Sequence, residues 1–128
     1  MSIDLNHTII PATEKWASAR FLTRVLGLPD ATGWGPFAQV ETSNGVALDY
    51  VDAENIRPHH YAFLVSDGEF DAALARIREA GIVFYANHRL DGKGEINRFY
   101  GGRGFYFKDP DGHLLELITK PYGATPAD

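Results

Sequence analysis

His7, His60 and Glu116 are the residues of this sequence best suited by type to chemistry. Two imidazoles and one carboxylate can hold a single divalent ion and leave other coordination positions open to water or substrate. Their placement points the same way. The chain reads as two copies of one layout: a short strand-like run, a helix, then strands ending in a hairpin. Overlaying the copies puts His7 on His60, Gly45 on Gly112 and Asp49 on Glu116. The second copy is longer by the loop from His88 to Gly102, which is rich in glycine and charge.

Glu116 sits in the run Leu114-Leu115-Glu116-Leu117-Ile118. Burying a lone carboxylate there costs roughly several kcal/mol unless a cation or strong donors neutralise it. The competing reading puts Glu116 on the solvent face of an edge strand, with Leu115 and Leu117 inward. His7 and His60 each admit a simpler role as a hydrogen-bonded core histidine. His59 is a rival to its neighbour; adjacent strand residues point to opposite faces, and the overlay on His7 selects His60. His88 and His113, in a loop and at a hairpin edge, read as surface residues.

The elements that must position these groups are legible in part. Ser66-Asp67-Gly68-Glu69 has the form of a capping box, and Phe70, Ala73, Leu74 and Ile77 follow on one helical face before Gly81. In the first copy Thr13 is the expected cap, Trp16, Ala19, Leu22, Val25 and Leu26 form a rougher stripe, and Gly27 closes it. Strands are expected over Leu5–Ile10, Phe37–Thr42, Val46–Val51, Tyr61–Val65, Ile82–Ala86, Gly104–Lys108 and His113–Thr119. The turns Ser43-Asn44-Gly45 and Asp109-Pro110-Asp111-Gly112 join the two hairpins.

Composition narrows the classes. The chain has 128 residues, 45% hydrophobic and 23% charged, which suits one soluble domain over 1–128, with repeat 1 at about 3–52 and repeat 2 at about 57–120. With no cysteine there is no disulfide frame and no thiolate ligand; imidazole and carboxylate suit iron, manganese, nickel or zinc. A net charge of −5 without a basic run argues against nucleic acid and anionic membrane as partners. No stretch approaches the ~18–20 apolar residues of a membrane span, and no basic n-region with an apolar core opens the chain. The cytoplasm is the expected location.

The strings Leu5-Asn6-His7, His60-Tyr61-Ala62-Phe63 and Phe105-Tyr106-Phe107-Lys108-Asp109-Pro110-Asp111-Gly112-His113-Leu114-Leu115-Glu116 resemble the vicinal oxygen chelate superfamily. That group includes glyoxalase I, bleomycin- and fosfomycin-resistance proteins and type I extradiol dioxygenases. The resemblance runs from Leu5 to about Tyr122. It implies an α+β fold of two βαβββ modules forming an open, curled mixed sheet, a homodimer, and His7, His60 and Glu116 as metal ligands. It implies chelation of two neighbouring substrate oxygens, with lyase, isomerase or transferase chemistry.

Departures from the pattern bear on the reaction. Glyoxalase I resembles this layout but has a glutamate where Asp49 stands; Asp49 is then a fourth ligand, an outer-sphere acid–base group beside Glu116, or a solvent-facing strand residue. Asn97-Arg98-Phe99-Tyr100 holds no histidine of the kind extradiol dioxygenases carry, which disfavours ring cleavage. Fosfomycin-resistance enzymes match at His7, His60, Tyr106 and Glu116. The segment Lys120–Asp128 has no arginine for a phosphonate, and Glu95–Gly104 lacks a clear cation loop. The alternative to an enzyme is a metal-free binding protein of the bleomycin-resistance type.

Tyr106 and Gln39 occupy equivalent places in the two copies, each polar between apolar neighbours. They line a substrate cup if they face inward, or are solvated if the faces are reversed. Arg98 and Tyr100 are the candidates in the long loop for touching an anionic or aromatic substrate, with a plain surface loop as the other reading.

Overall fold

A computed structural model describes residues 2–123. The chain divides into two compact units, Met1–Arg57 and Pro58–Asp128, and each is a βαβββ module with its own mixed four-stranded sheet.

In the first unit β1 (His7–Ala12) leads to helix α1 (Lys15–Leu26), then β2 (Thr32–Trp34), β3 (Phe37–Glu41) and β4 (Ala47–Asp52). The sheet order is β1-β4-β3-β2, with β1 parallel to β4 and the other pairs antiparallel. β1 begins and ends two residues later than the apolar run suggests: Leu5 is exposed, and the strand passes through Pro11. Proline is tolerated there because β1 is an edge strand. The cap of α1 is Glu14, whose carboxylate accepts from the Ala17 amide, and not Thr13. Gly27 ends the helix in the left-handed conformation, and Leu28 N–H reaches back to the Thr23 carbonyl at 3.0 Å. Ala19, Leu22 and Val25 are buried, whereas Trp16 is exposed. The strand β2 has no apolar alternation to announce it; all three of its residues are exposed.

In the second unit β5 (His60–Leu64) leads to helix α2 (Asp67–Glu79), then β6 (Phe84–Tyr85), a 3-10 turn at Phe99–Gly101, β7 (Gly104–Lys108) and β8 (Leu114–Ile118). The order β5-β8-β7-β6 and the parallel β5·β8 pair repeat the first sheet. The capping box is complete: Ser66 Oγ accepts from Glu69 N–H at 3.1 Å, and Glu69 accepts from Ser66 N–H at 3.1 Å. The Ser66 amide first, and then the Ser66 hydroxyl, which donates to Glu69 Oε1 at 2.9 Å, hold the Glu69 carboxyl below its ordinary range. At the other end Gly81 N–H bonds the Arg78 carbonyl and Ile82 N–H the Ile77 carbonyl, the paired bonds of a Schellman stop. The core of this unit is Phe70, Ala73, Leu74, Ile77, Phe84, Phe105, Phe107, Leu115 and Leu117. Ser66→Ala removes the hydroxyl acceptor from the first turn of α2. It is expected to cost about 1 kcal/mol, a fall of roughly 3–6 °C in the thermal midpoint. An unchanged melting curve counts against the cap as a contributor.

Among the described residues no helix is long and apolar enough to cross a membrane.

Candidate metal centre

The backbone puts the repeat on a physical footing. His7 stands opposite Ala47 on β4, and His60 opposite Leu114 on β8, so each histidine opens its edge strand at the same register. Gln39 stands opposite Asp49, and Tyr106 opposite Glu116. The two sheets therefore carry their candidate groups at matched positions.

In the second unit three of the candidate residues come together. His60 Nε2 lies 3.0 Å from Glu116 Oε1, and the His60 ring stacks on Tyr106 with centroids 6.0 Å apart. Glu116 is not on a solvent face. Its side chain is 2% exposed, against 47% for that of His60, so the pair joins a sealed carboxylate to a reachable imidazole. Leu115 and Leu117 are buried too, because β8 is covered on both faces. Tyr106 is likewise buried rather than solvated, between Phe105 and Phe107.

The contacts of this pair can be followed atom by atom. His60 Nδ1 lies 3.0 Å from the Leu114 carbonyl, which can only accept, so Nδ1 carries a proton. A neutral ring then turns the lone pair of Nε2 toward a carboxylate oxygen. Nε2 and Oε1 stand 3.0 Å apart, a contact that needs a proton or a cation between the two atoms. A second imidazole proton meets that need, and so does a divalent ion. The donor set fits an ion: Nδ1 anchored to a carbonyl is the arrangement that orients a metal-binding histidine through Nε2. His7 is prepared in the same way, with Nδ1 2.7 Å from Asn6 Oδ1.

The second carboxylate oxygen of Glu116 accepts from the phenol of Tyr122, a residue that sequence reasoning passed over. The signal available was slight: a tyrosine shortly after the last strand, behind Pro121. Burial pushes the Tyr106 phenol up to about 12, and hydrogen bonding to Glu116 adds to the shift. Burial first, then the same carboxylate, raises Tyr122 further. Both phenols therefore stay protonated near neutral pH and act as donors to whatever oxygen stands beside them.

In the first unit Asp49 is 1% exposed, so it is not a solvent-facing residue. Its Oδ1 accepts from Gln39 Nε2 at 2.8 Å, which joins two of the candidate residues in one cross-strand pair. His7 is exposed at the start of β1. Among the described residues no three His, Cys, Asp or Glu side chains gather within either unit.

The long loop is pinned rather than free. Asn97, buried, donates to the Ala86 carbonyl at 2.7 Å, accepts from Phe99 N–H and pairs its backbone with Gly104. Arg98 is exposed, Tyr100 packs on Tyr122 with centroids 4.8 Å apart, and exposed His88 meets Tyr106 edge-on. His113 is fully buried and not a surface residue. Its Nδ1 accepts from His59 N–H at 2.9 Å, while its own N–H bonds Asp109 Oδ1. The hairpin-edge position hides this, because the acceptor role is satisfied by His59, the residue before β5 and far away in sequence.

Three comparisons bear on the site. The family profile described as the Glyoxalase/Bleomycin resistance protein/Dioxygenase superfamily matches residues 4–117. A glutathione transferase, FosA of Serratia marcescens, is 30% identical over 120 residues, covering 88% of this chain and 78% of that protein. Two solved structures are nearer in sequence. Oxidase ChaP-H2 is 54% identical with a TM-score of 0.93, over 96% of this chain and 98% of that one. Oxidase ChaP-H1 is 50% identical with a TM-score of 0.94, over 96% and 100%.

Proposed function

This chain belongs to the glyoxalase/bleomycin resistance protein/dioxygenase superfamily, and from that premise we propose that it is a metal-dependent oxidase acting on a small molecule with two neighbouring oxygens. His7, His60 and Glu116 hold the ion in this reading. The observation that carries it is the 3.0 Å meeting of His60 Nε2 with Glu116 Oε1, a carboxylate buried in an apolar strand. Two imidazoles and a carboxylate with open positions suit ferrous iron, with manganese, nickel or zinc as the other candidates for this donor set. The ion supplies Lewis acidity toward the paired substrate oxygens and, as iron, electron transfer with dioxygen.

The protein's own groups do the rest. Glu116 and His60 fix the donor atoms. Tyr106, stacked on His60 and hydrogen-bonded to Glu116, is the residue that meets the substrate at that face. Asp49, held by Gln39, is the carboxylate suited to accept a proton. Arg98 and Tyr100 are the loop residues suited to an anionic or aromatic substrate. The assembly proposed is a homodimer in the cytoplasm.

Oxidation is preferred to lyase, isomerase or transferase chemistry because the relatives sharing half of their residues with this chain are oxidases, whereas FosA shares 30%. Metal analysis of the purified protein should find close to one iron or manganese per chain. Incubation with catechols and α-hydroxyketones should then consume dioxygen, and a chelator should stop consumption. Tight ligand binding that survives the chelator, with no turnover, points instead to a metal-free binding protein.

A further inference from the structure

We infer that Tyr122 is a positioning residue of this site: its phenol holds one oxygen of Glu116 so that the other faces His60, and its ring ties that carboxylate to the turn at Tyr100. The inference rests on the metal-dependent reading above.

The geometry of Glu116 is the starting point. The two oxygens of this carboxylate meet different groups on different elements, and Tyr106 on β7 hydrogen-bonds it as well. Oε1 faces His60 on β5, and Oε2 receives the Tyr122 O–H from the segment beyond β8. Rotation of the carboxylate would break both contacts at once. With Oε2 capped, Oε1 is the oxygen left for an ion shared with His60.

Tyr122 can hold that post because its segment is clamped. Thr119 N–H bonds the Arg103 carbonyl at 3.0 Å, and Arg103 N–H bonds Thr119 Oγ1 at 2.8 Å. Gly102 lies so close that a Cβ there would stand 2.7 Å from Lys120 Cγ and 2.8 Å from Thr119 Oγ1. Pro121 then fixes its own φ and keeps Lys120 out of the helical region. The chain therefore leaves β8 along one path, and that path delivers the phenol to Glu116.

The ring makes the second connection. Tyr100 packs on it at 4.8 Å and Phe99 at 6.4 Å. Tyr100 has φ 54° and ψ 31°, a left-handed conformation that is unfavourable for an aromatic residue and persists only where the surroundings over-determine it. Asn97, which accepts from the preceding Phe99 amide, and the Tyr122 ring supply that constraint. A shift of the long loop is thus felt by the ligand carboxylate through one pair of rings.

The test uses the whole chain, with Mn(II) binding followed by electron paramagnetic resonance and the d–d absorption of a Co(II)-loaded sample as a second readout. Tyr122→Phe keeps the ring and removes only the O–H. It should keep the near-ultraviolet circular dichroism of the parent, bind Mn(II) roughly tenfold more weakly, as loss of an outer-shell partner does, and change the Co(II) spectrum. Tyr100→Ala removes the ring contact and leaves the phenol, and should weaken Mn(II) roughly threefold; it carries the test if Tyr122→Phe does not fold. Tyr85→Phe, a phenol deletion on β6, should bind like the parent. Parental affinity and spectrum in Tyr122→Phe, or parental affinity in Tyr100→Ala, overturns the inference and leaves the metal reading intact. A parent that takes up neither ion overturns both.

Discussion

His60→Ala and Glu116→Ala should each weaken divalent-ion binding on the order of a hundredfold or more, since even outer-shell partners are worth 10–100-fold. Calorimetric titration with Mn(II) measures this, and two variants that bind like the parent would sink the site. Stability without metal separates a functional site from a structural ion pair, because the two partners are sealed so differently. Glu116→Met removes the buried charge; His60 and Tyr122, both partly exposed, turn to water, while the buried Tyr106 phenol loses its bond to the carboxylate. The chelator-treated variant should be as stable as the parent or more so, by up to about 1–4 kcal/mol. His60→Ala does the opposite: it keeps the sealed carboxylate and takes away its imidazole partner, at a cost of about 1–3 kcal/mol. Opposite signs from the two halves of one contact are what a site maintained for function, at some expense in stability, should give.

The largest effect on stability is expected at Phe105. This ring is fully buried on β7, edge-on to Phe70 at 5.2 Å and Phe84 at 5.6 Å, with Phe107 at 5.7 Å. It joins α2, β6 and the central hairpin. Phe105→Ala should cost about 3–5 kcal/mol, more than 10 °C in the thermal midpoint. Urea unfolding followed by far-ultraviolet circular dichroism checks it. A loss under about 1 kcal/mol would mean that the second unit's core is organised around other residues.

Much of this was open to inspection in the sequence because the signals are local. Ser66 and Glu69 are three residues apart and cap each other. Gly27 and Gly81 mark helix stops because few other residues adopt their left-handed φ. Phe70, Ala73, Leu74 and Ile77 share a face by periodicity alone, and all four are buried. The pairing of His60 with Glu116 was legible for a different reason: a repeat compares two solutions of one problem, so matched residues reveal matched positions. What escaped depends on contacts distant in sequence or on edges. His113 reads as polar and peripheral until its ring is seen to accept from His59. β2 has no inward face to give it a pattern. Parity alone chooses no face at β7 and β8, where both faces are covered and Tyr106, Glu116 and their apolar neighbours are buried together. Tyr122 needed the path of the chain past Pro121.

The turn Asp109-Pro110-Asp111-Gly112 has a reach beyond its own four residues. Asp109 Oδ1 gathers the amides of Asp111 and His113, each at 2.9 Å, and the His113 ring in turn grips the backbone of His59, the residue before His60. The imidazole of the candidate centre thus inherits its place from a jig three contacts away. Anyone transplanting the His60–Glu116 pair onto another sheet would have to carry that jig along, since the two side chains alone do not bring the instructions for their own spacing.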